Sequence, residues 1–186
     1  MRVLAISGSL RAGSLNTALL RAASGLAPLA ARVVMYEALV AVPPYSEDDD
    51  VEPAPHAVAV LRAAIADADA LLFATPEYNA SVPGQLKNAI DWASRPYPGN
   101  ALRGKPAAVI GASTGIFGAV WAQAELRKIL RTAGASVLDH DFAITTGQDA
   151  FDDELRLVDA QARTQLRAIV AELTHAALAA LAKTTT

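Results

Sequence analysis

Three hydroxyls, two glycines and a guanidinium crowd into ten residues near the start of the chain, Ser7-Gly8-Ser9-Leu10-Arg11-Ala12-Gly13-Ser14-Leu15-Asn16. These residue types suit the capture of an anion. Glycine lets a backbone turn sharply and approach a ligand closely. The hydroxyls of Ser7, Ser9 and Ser14 can donate hydrogen bonds, and Arg11 can fork onto phosphate oxygens. Ser14 also suits the N-cap of a following helix, whose unpaired N–H groups and positive dipole end favour negative charge. Gly8 and Gly13 have the separation of the two glycines in a Walker A loop, but Ser14 follows Gly13 with no lysine between them. That argues against Mg-nucleotide hydrolysis. The fingerprint GxGxxG is absent too, which weighs against a dinucleotide site in this turn. The competing reading is a strand-to-helix turn in which Gly and Ser serve geometry alone.

Other candidate chemistry is sparse. The chain has no cysteine, so disulfides, thiolate nucleophiles, iron–sulfur clusters and cysteine-type zinc sites are excluded. His56, His140 and His175 form no constellation with a nucleophile and read as surface or capping residues. Glu47, Asp48, Asp49, Asp50 and Glu52 lack the glycine and closing glutamate of a calcium loop and read as a solvated acidic segment. Asp67, Asp69 and Asp91 fall at element ends. No catalytic acid or base and no metal ligand is assigned. A net charge of −3 without a Lys/Arg stripe disfavours nucleic acid as a partner.

The chemistry-bearing loops need a scaffold, and the apolar pattern supplies one. At 186 residues the chain reads as one domain, residues 1–182, with a short polar tail at 183–186. The run at 3–6 is too short for a signal-peptide core. The uncharged window at 106–124 changes pattern partway and reads as strand, loop and helix, not a membrane span. A cytoplasmic protein is expected. Strands are read at 3–6, 32–36, 70–74, 107–110 and, as a weakly alternating edge, 136–144. Helices are read from Leu15, at 56–67, at 83–93 and at 117–133, with a long closing helix stepping through Leu155, Val158, Ala162, Leu166, Ile169 and Leu173 from Asp152 or Asp153.

Five strands alternating with five helices predict an α/β flavodoxin-like three-layer sandwich around a five-stranded parallel sheet of order 2-1-3-4-5. Ligands in such sheets sit outside the carboxyl ends of the strands, at the switch point between strands 1 and 3. The loops at 8–14, 76–81 and 112–117 should therefore share one rim. A ligand across them would place a phosphate in the first and a flat ring between the other two, which is the layout of FMN. Main-chain groups of Glu77, Tyr78 and Asn79 would then face the ring edge, and Gly115 would allow close approach beside Ser113 and Thr114. Glu77 is read as fixing its loop or a subunit contact, not as transferring a proton.

Two runs carry a resemblance to a known family. Gly8-Ser9-Leu10-Arg11-x-Gly13-Ser14-x-Asn16 is followed by Thr75-Pro76-Glu77-Tyr78-Asn79-x-Ser81-x-Pro83-Gly84-x-Leu86-Lys87-Asn88-Ala89-Ile90-Asp91-Trp92. Together they resemble the NAD(P)H-dependent FMN reductase family, which has a flavodoxin-like fold and includes quinone, chromate and azo-dye reductases. The resemblance implies that Ser9, Arg11, Ser14 and Asn16 hold the FMN phosphate, and Leu10, Gly13 and Leu15 are expected among the cofactor-binding residues of the same loop. It also implies that Pro76, Glu77, Tyr78, Asn79, Ser113, Thr114 and Gly115 line the ring. NADPH or NADH is the implied co-substrate. A quinone, free flavin, azo dye or metal oxyanion is the implied acceptor, and a homodimer or homotetramer the implied assembly. The alternative is a flavodoxin-type electron carrier that binds FMN without turning over pyridine nucleotide. Trp121 and Ala124 depart from the pattern, standing where many members carry Arg and Tyr.

Overall fold

The computed structural model describes residues 1–115, 117–144 and 149–184. Its frame is a parallel sheet. Strands β1 (Arg2–Ser7), β2 (Arg32–Tyr36), β3 (Ala70–Ala74) and β4 (Pro106–Ala112) lie in the order β2-β1-β3-β4. Two short strands, β5 (Ser136–Val137) and β6 (Ala143–Ile144), share the position beyond β4. The order 2-1-3-4-5 agrees with the flavodoxin-like expectation.

Alternation along the strands sorts the core into two layers. Leu4 pairs with Leu71 and Leu71 with Ala107, and these residues join the core that also holds Phe73 and Val109. On that face pack α2 (His56–Ala66), α3 (Gly84–Ala93) and α4 (Val120–Thr132), through residues such as Leu61, Leu86 and Leu126. Val3, Ala5, Ala70, Leu72, Ala74, Ala108 and Ile110 point the other way, toward α1 (Leu15–Leu26) and α5 (Ala160–Thr184). With both faces covered, the central strands read as unbroken apolar runs instead of alternating ones. Much of the second face is alanine, so α1 and α5 can come close to the sheet. This is where part of the chain's high alanine content goes.

The polar residues of the 84–92 run serve packing. The Gln85 side-chain amide donates to the carbonyls of Leu39 and Val42 at 2.8 and 2.9 Å. Asn88 accepts from the Tyr45 N–H and donates to the Pro43 carbonyl, and the Trp92 indole N–H donates to the same carbonyl at 2.9 Å. Trp92 is fully buried, with the Arg62 guanidinium 5.7 Å from its ring centroid. Arg62 in turn pairs with Asp50 at 2.7 Å, so one member of the acidic segment is structural.

The carboxyl-terminal third departs from expectation twice. The edge read at 136–144 is interrupted between β5 and β6, and in that interval the buried Arg127 donates to the His140 carbonyl at 2.8 Å, taking an acceptor that a continuous strand would offer elsewhere. The closing helix begins at Ala160, with Asp159 accepting from the Ala162 N–H at 2.6 Å, and not at Asp152 or Asp153. Before it, Phe151 and Leu157 pair across a turn and Leu155 adopts φ 59°. Val158, placed on the helix's apolar face by spacing, is exposed, whereas Leu166, Ile169 and Leu173 are buried as expected. Helix α5 runs to Thr184, two residues into the stretch read as a tail; Thr185 and Thr186 lie outside the described residues.

Candidate functional site

Because β1, β3 and β4 are parallel, the loops that leave them emerge on one rim. Direct bonds bind those loops together. The Gly8 N–H donates to the Ala74 carbonyl at 2.8 Å, joining the first loop to the end of β3. A Cβ on Gly8 would lie 2.8 Å from the Leu86 side chain, so the close approach of loop and helix depends on glycine there. The Thr75 N–H donates to the Ile110 carbonyl at 3.0 Å. Asn16 is almost wholly buried and uses both ends of its amide on Ala112, donating to its carbonyl at 2.9 Å and accepting from its N–H at 3.0 Å. The start of α1 is thus pinned to the end of β4.

Within the first loop, Ser14 caps α1, its Oγ accepting from the Thr17 N–H at 3.2 Å. The N–H groups of Leu15 and Asn16 lie in the first turn, where a helix has no intrahelical acceptors. Ser7 Oγ lies 2.9 Å from Thr17 Oγ1 and accepts from the Ser9 N–H at 3.3 Å, which folds the loop inward. Arg11 is exposed and makes no ion pair among the described residues. A Cβ on Gly13 would meet no protein atom within 4 Å, leaving open space beside the helix N-terminus. Leu10 is exposed, and Leu15 is partly buried against the α1/α5 core.

The second loop is a tight hairpin. Tyr78 and Ser81 exchange N–H···O bonds of 3.0 and 3.1 Å around Asn79 and Ala80, which have φ of 51° and 59°. This double left-handed pair is a two-residue hairpin turn, which asparagine tolerates better than alanine. It consumes both main-chain polar groups of Tyr78, which the sequence reading had turned toward a ligand; Glu77 and Asn79 remain. Pro76 packs 3.4 Å from the place a Gly8 Cβ would take.

In the third loop the Ser113 N–H donates to the Ile144 carbonyl at 3.1 Å, and Ser113 Oγ accepts from the Gly115 N–H at 3.0 Å. Thr114 and Gly115 are exposed. Ile116, inside the loop read at 112–117, lies outside the described residues.

Three contributors escaped the sequence reading. Glu125, in the middle of α4, accepts from Ser81 Oγ at 2.6 Å. Gln123 is buried against Gly111, where a Cβ would come within 2.8 Å of its amide nitrogen. Tyr36, at the end of β2, lines a cleft of about 330 Å³ with Ser9, Arg11 and Arg21. Its hydroxyl is buried without a partner among the described residues, and burial raises its pKa. None carries a local signal, since each matters only through a distant neighbour. No group of three or more His, Asp or Glu side chains among the described residues could hold a metal ion.

The arrangement offers an electropositive cradle of hydroxyls, helix N–H groups and one guanidinium on the rim that the two shorter loops share. That donor set fits a phosphate monoester.

A family model described as NADPH-dependent FMN reductase matches residues 1–149. An NAD(P)H-dependent FMN reductase of Pseudomonas aeruginosa is 48% identical over 164 residues, 88% of each chain. A quinone reductase of Pseudomonas putida is 40% identical over 169 residues, 90% of each chain. Among solved structures, a flavoenzyme NAD(P)H:(acceptor) oxidoreductase from Paracoccus denitrificans superposes with a TM-score of 0.85 at 36% identity, covering 95% of this chain and 96% of that one.

Proposed function

The chain belongs to the NADPH-dependent FMN reductase family, and from that premise we propose that the rim described above is its flavin site, in a single flavodoxin-like unit over residues 1–182. The protein is an FMN-dependent NAD(P)H oxidoreductase. Bound FMN supplies hydride and electron transfer between reduced pyridine nucleotide and an acceptor. The chain's own residues bind, orient and shield. Arg11, the hydroxyls of Ser9 and Ser14, and the main chain at Leu10, Gly13, Leu15 and Asn16 hold the phosphate. Asn16 also fixes the cradle to β4. Pro76, Glu77, Tyr78 and Asn79 on one side, and Ser113, Thr114 and Gly115 on the other, border the ring. The observation that carries this assignment is the Asn16–Ala112 pair of hydrogen bonds, which sets an anion cradle and the β4 loop in one rigid frame.

The names of the relatives support quinones and free flavin as acceptors; azo dyes and metal oxyanions remain within the proposal. Tyr78, Phe117 and Trp121 are each about half exposed, with the Phe117 and Trp121 rings in contact and the Trp121 N–H bonded to Glu77, which supports a homodimer or homotetramer with this surface covered. No helix among the described residues is long and apolar enough to cross a membrane, and a cytoplasmic location, where reduced pyridine nucleotide is supplied, completes the proposal.

Anaerobic addition of NADPH or NADH to the flavin-loaded protein tests the function. Prompt bleaching of the flavin absorbance, reversed by a benzoquinone, is expected. Flavin that stays oxidised would identify an electron carrier instead.

A further inference from the structure

We infer that Glu77 and Glu125 are positioning residues, two carboxylates that clamp the hairpin after β3 onto α4 so that the two ring-bordering loops keep a fixed spacing; the inference rests on the flavin-site reading above. Helix α4 begins without a side-chain cap. The residue before it, Ala119, has φ 63° and ψ 30° and makes no capping bond. The first-turn N–H groups of such a helix need an acceptor from elsewhere. Glu77 provides it across 44 residues of sequence, one carboxylate oxygen accepting from the N–H groups of Trp121 and Ala122 at 3.0 and 3.1 Å. A carboxylate oxygen at that place also interacts favourably with the positive end of the helix dipole.

One turn further along α4, Glu125 completes the clamp. It accepts from the Ser81 hydroxyl at 2.6 Å and from the Val82 N–H at 3.4 Å. The two attachments lie on opposite sides of the tight turn at Asn79 and Ala80, so they fix both the place and the tilt of the hairpin. Ser113, Thr114 and Gly115 precede α4 by a few residues in the sequence. Clamping the hairpin to the helix is what would hold the two loops at the spacing a flat ring must match.

The test compares FMN with riboflavin, which has the ring and lacks the phosphate, by fluorescence quenching on the flavin-free protein. Glu77→Ala is expected to weaken both ligands by the same factor, about tenfold, the scale of charge-assisted hydrogen bonds lost together. Glu77→Gln keeps one amide oxygen able to accept from both N–H groups, and affinity within about threefold of the parent is expected. Ser81→Ala, which removes one bond from an intact hairpin, should weaken both ligands by a smaller equal factor, and it stands in if Glu77→Ala fails to fold. Unchanged riboflavin affinity in Glu77→Ala and Ser81→Ala, with flavin binding intact in the parent, would overturn the clamp alone. A parent protein that bound neither ligand would overturn the flavin reading and the clamp with it.

Discussion

Arg11 is the only guanidinium in the first loop, and its charge is not spent within the described structure. Its removal should be felt by the phosphate and not by the ring. Arg11→Ala is expected to weaken FMN by about 1 to 3 kcal/mol, the value of a charge-assisted hydrogen bond to phosphate. Riboflavin affinity should be unchanged. Titration of the flavin-free protein with both ligands checks this, and equal FMN affinity in parent and variant would remove Arg11 from the site. Ser14 could be read from sequence because an N-cap is a contract between residues three apart. Asn16 stands in the same loop, but its partner is 96 residues away and no local rule names it.

At the scale of elements, the site depends on how closely α4 lies on the end of β4. Gly111 measures that approach, for a Cβ there would sit 3.0 Å from the Thr75 carbonyl and closer still to Gln123. Neither neighbour has free room, since Thr75 and Gln123 are buried. Gly111→Ala is expected to cost about 1 to 3 kcal/mol of unfolding free energy, the usual penalty for overfilling a packed core, read as a lower urea midpoint. A midpoint equal to the parent's would show that α4 can retreat. The central strands and α1 to α4 were legible because apolar runs of strand length and 3.6-residue periods are dictated by burial on one or both faces. The closing helix was misjudged at its start. Leu155 packs against the core from a turn before the helix, and its spacing to Val158 continues the helical count although Val158 is exposed.

The whole molecule presents a half-open aromatic face beside its proposed site, with the Phe117 and Trp121 rings 4.7 Å apart. Water contact with so much ring surface is unfavourable, and a second copy is the proposed cover. Light scattering after gel filtration should give two or four times 19.3 kDa. Trp121→Glu is expected to shift that mass toward the single chain, by placing a charge where apolar surface would be buried. A parent protein of single-chain mass at micromolar concentration would end the proposal of an oligomer while leaving the flavin site untouched.

The amino-acid order alone determined the layered α/β architecture, the strand order and the three loops that carry the polar chemistry. Those features follow from periodicity, chain reversal and the handedness of crossovers, all of which act over short stretches or repeat regularly. The tertiary structure decided how the loops are held: which main-chain groups of the hairpin remain open, that Glu77 reaches the start of α4 while Glu125 reaches from α4 back to Ser81, and that the edge strand breaks where Arg127 binds the His140 carbonyl. These outcomes hang on single hydrogen bonds between residues brought together only when the sheet closes, and a linear pattern has no term for such meetings.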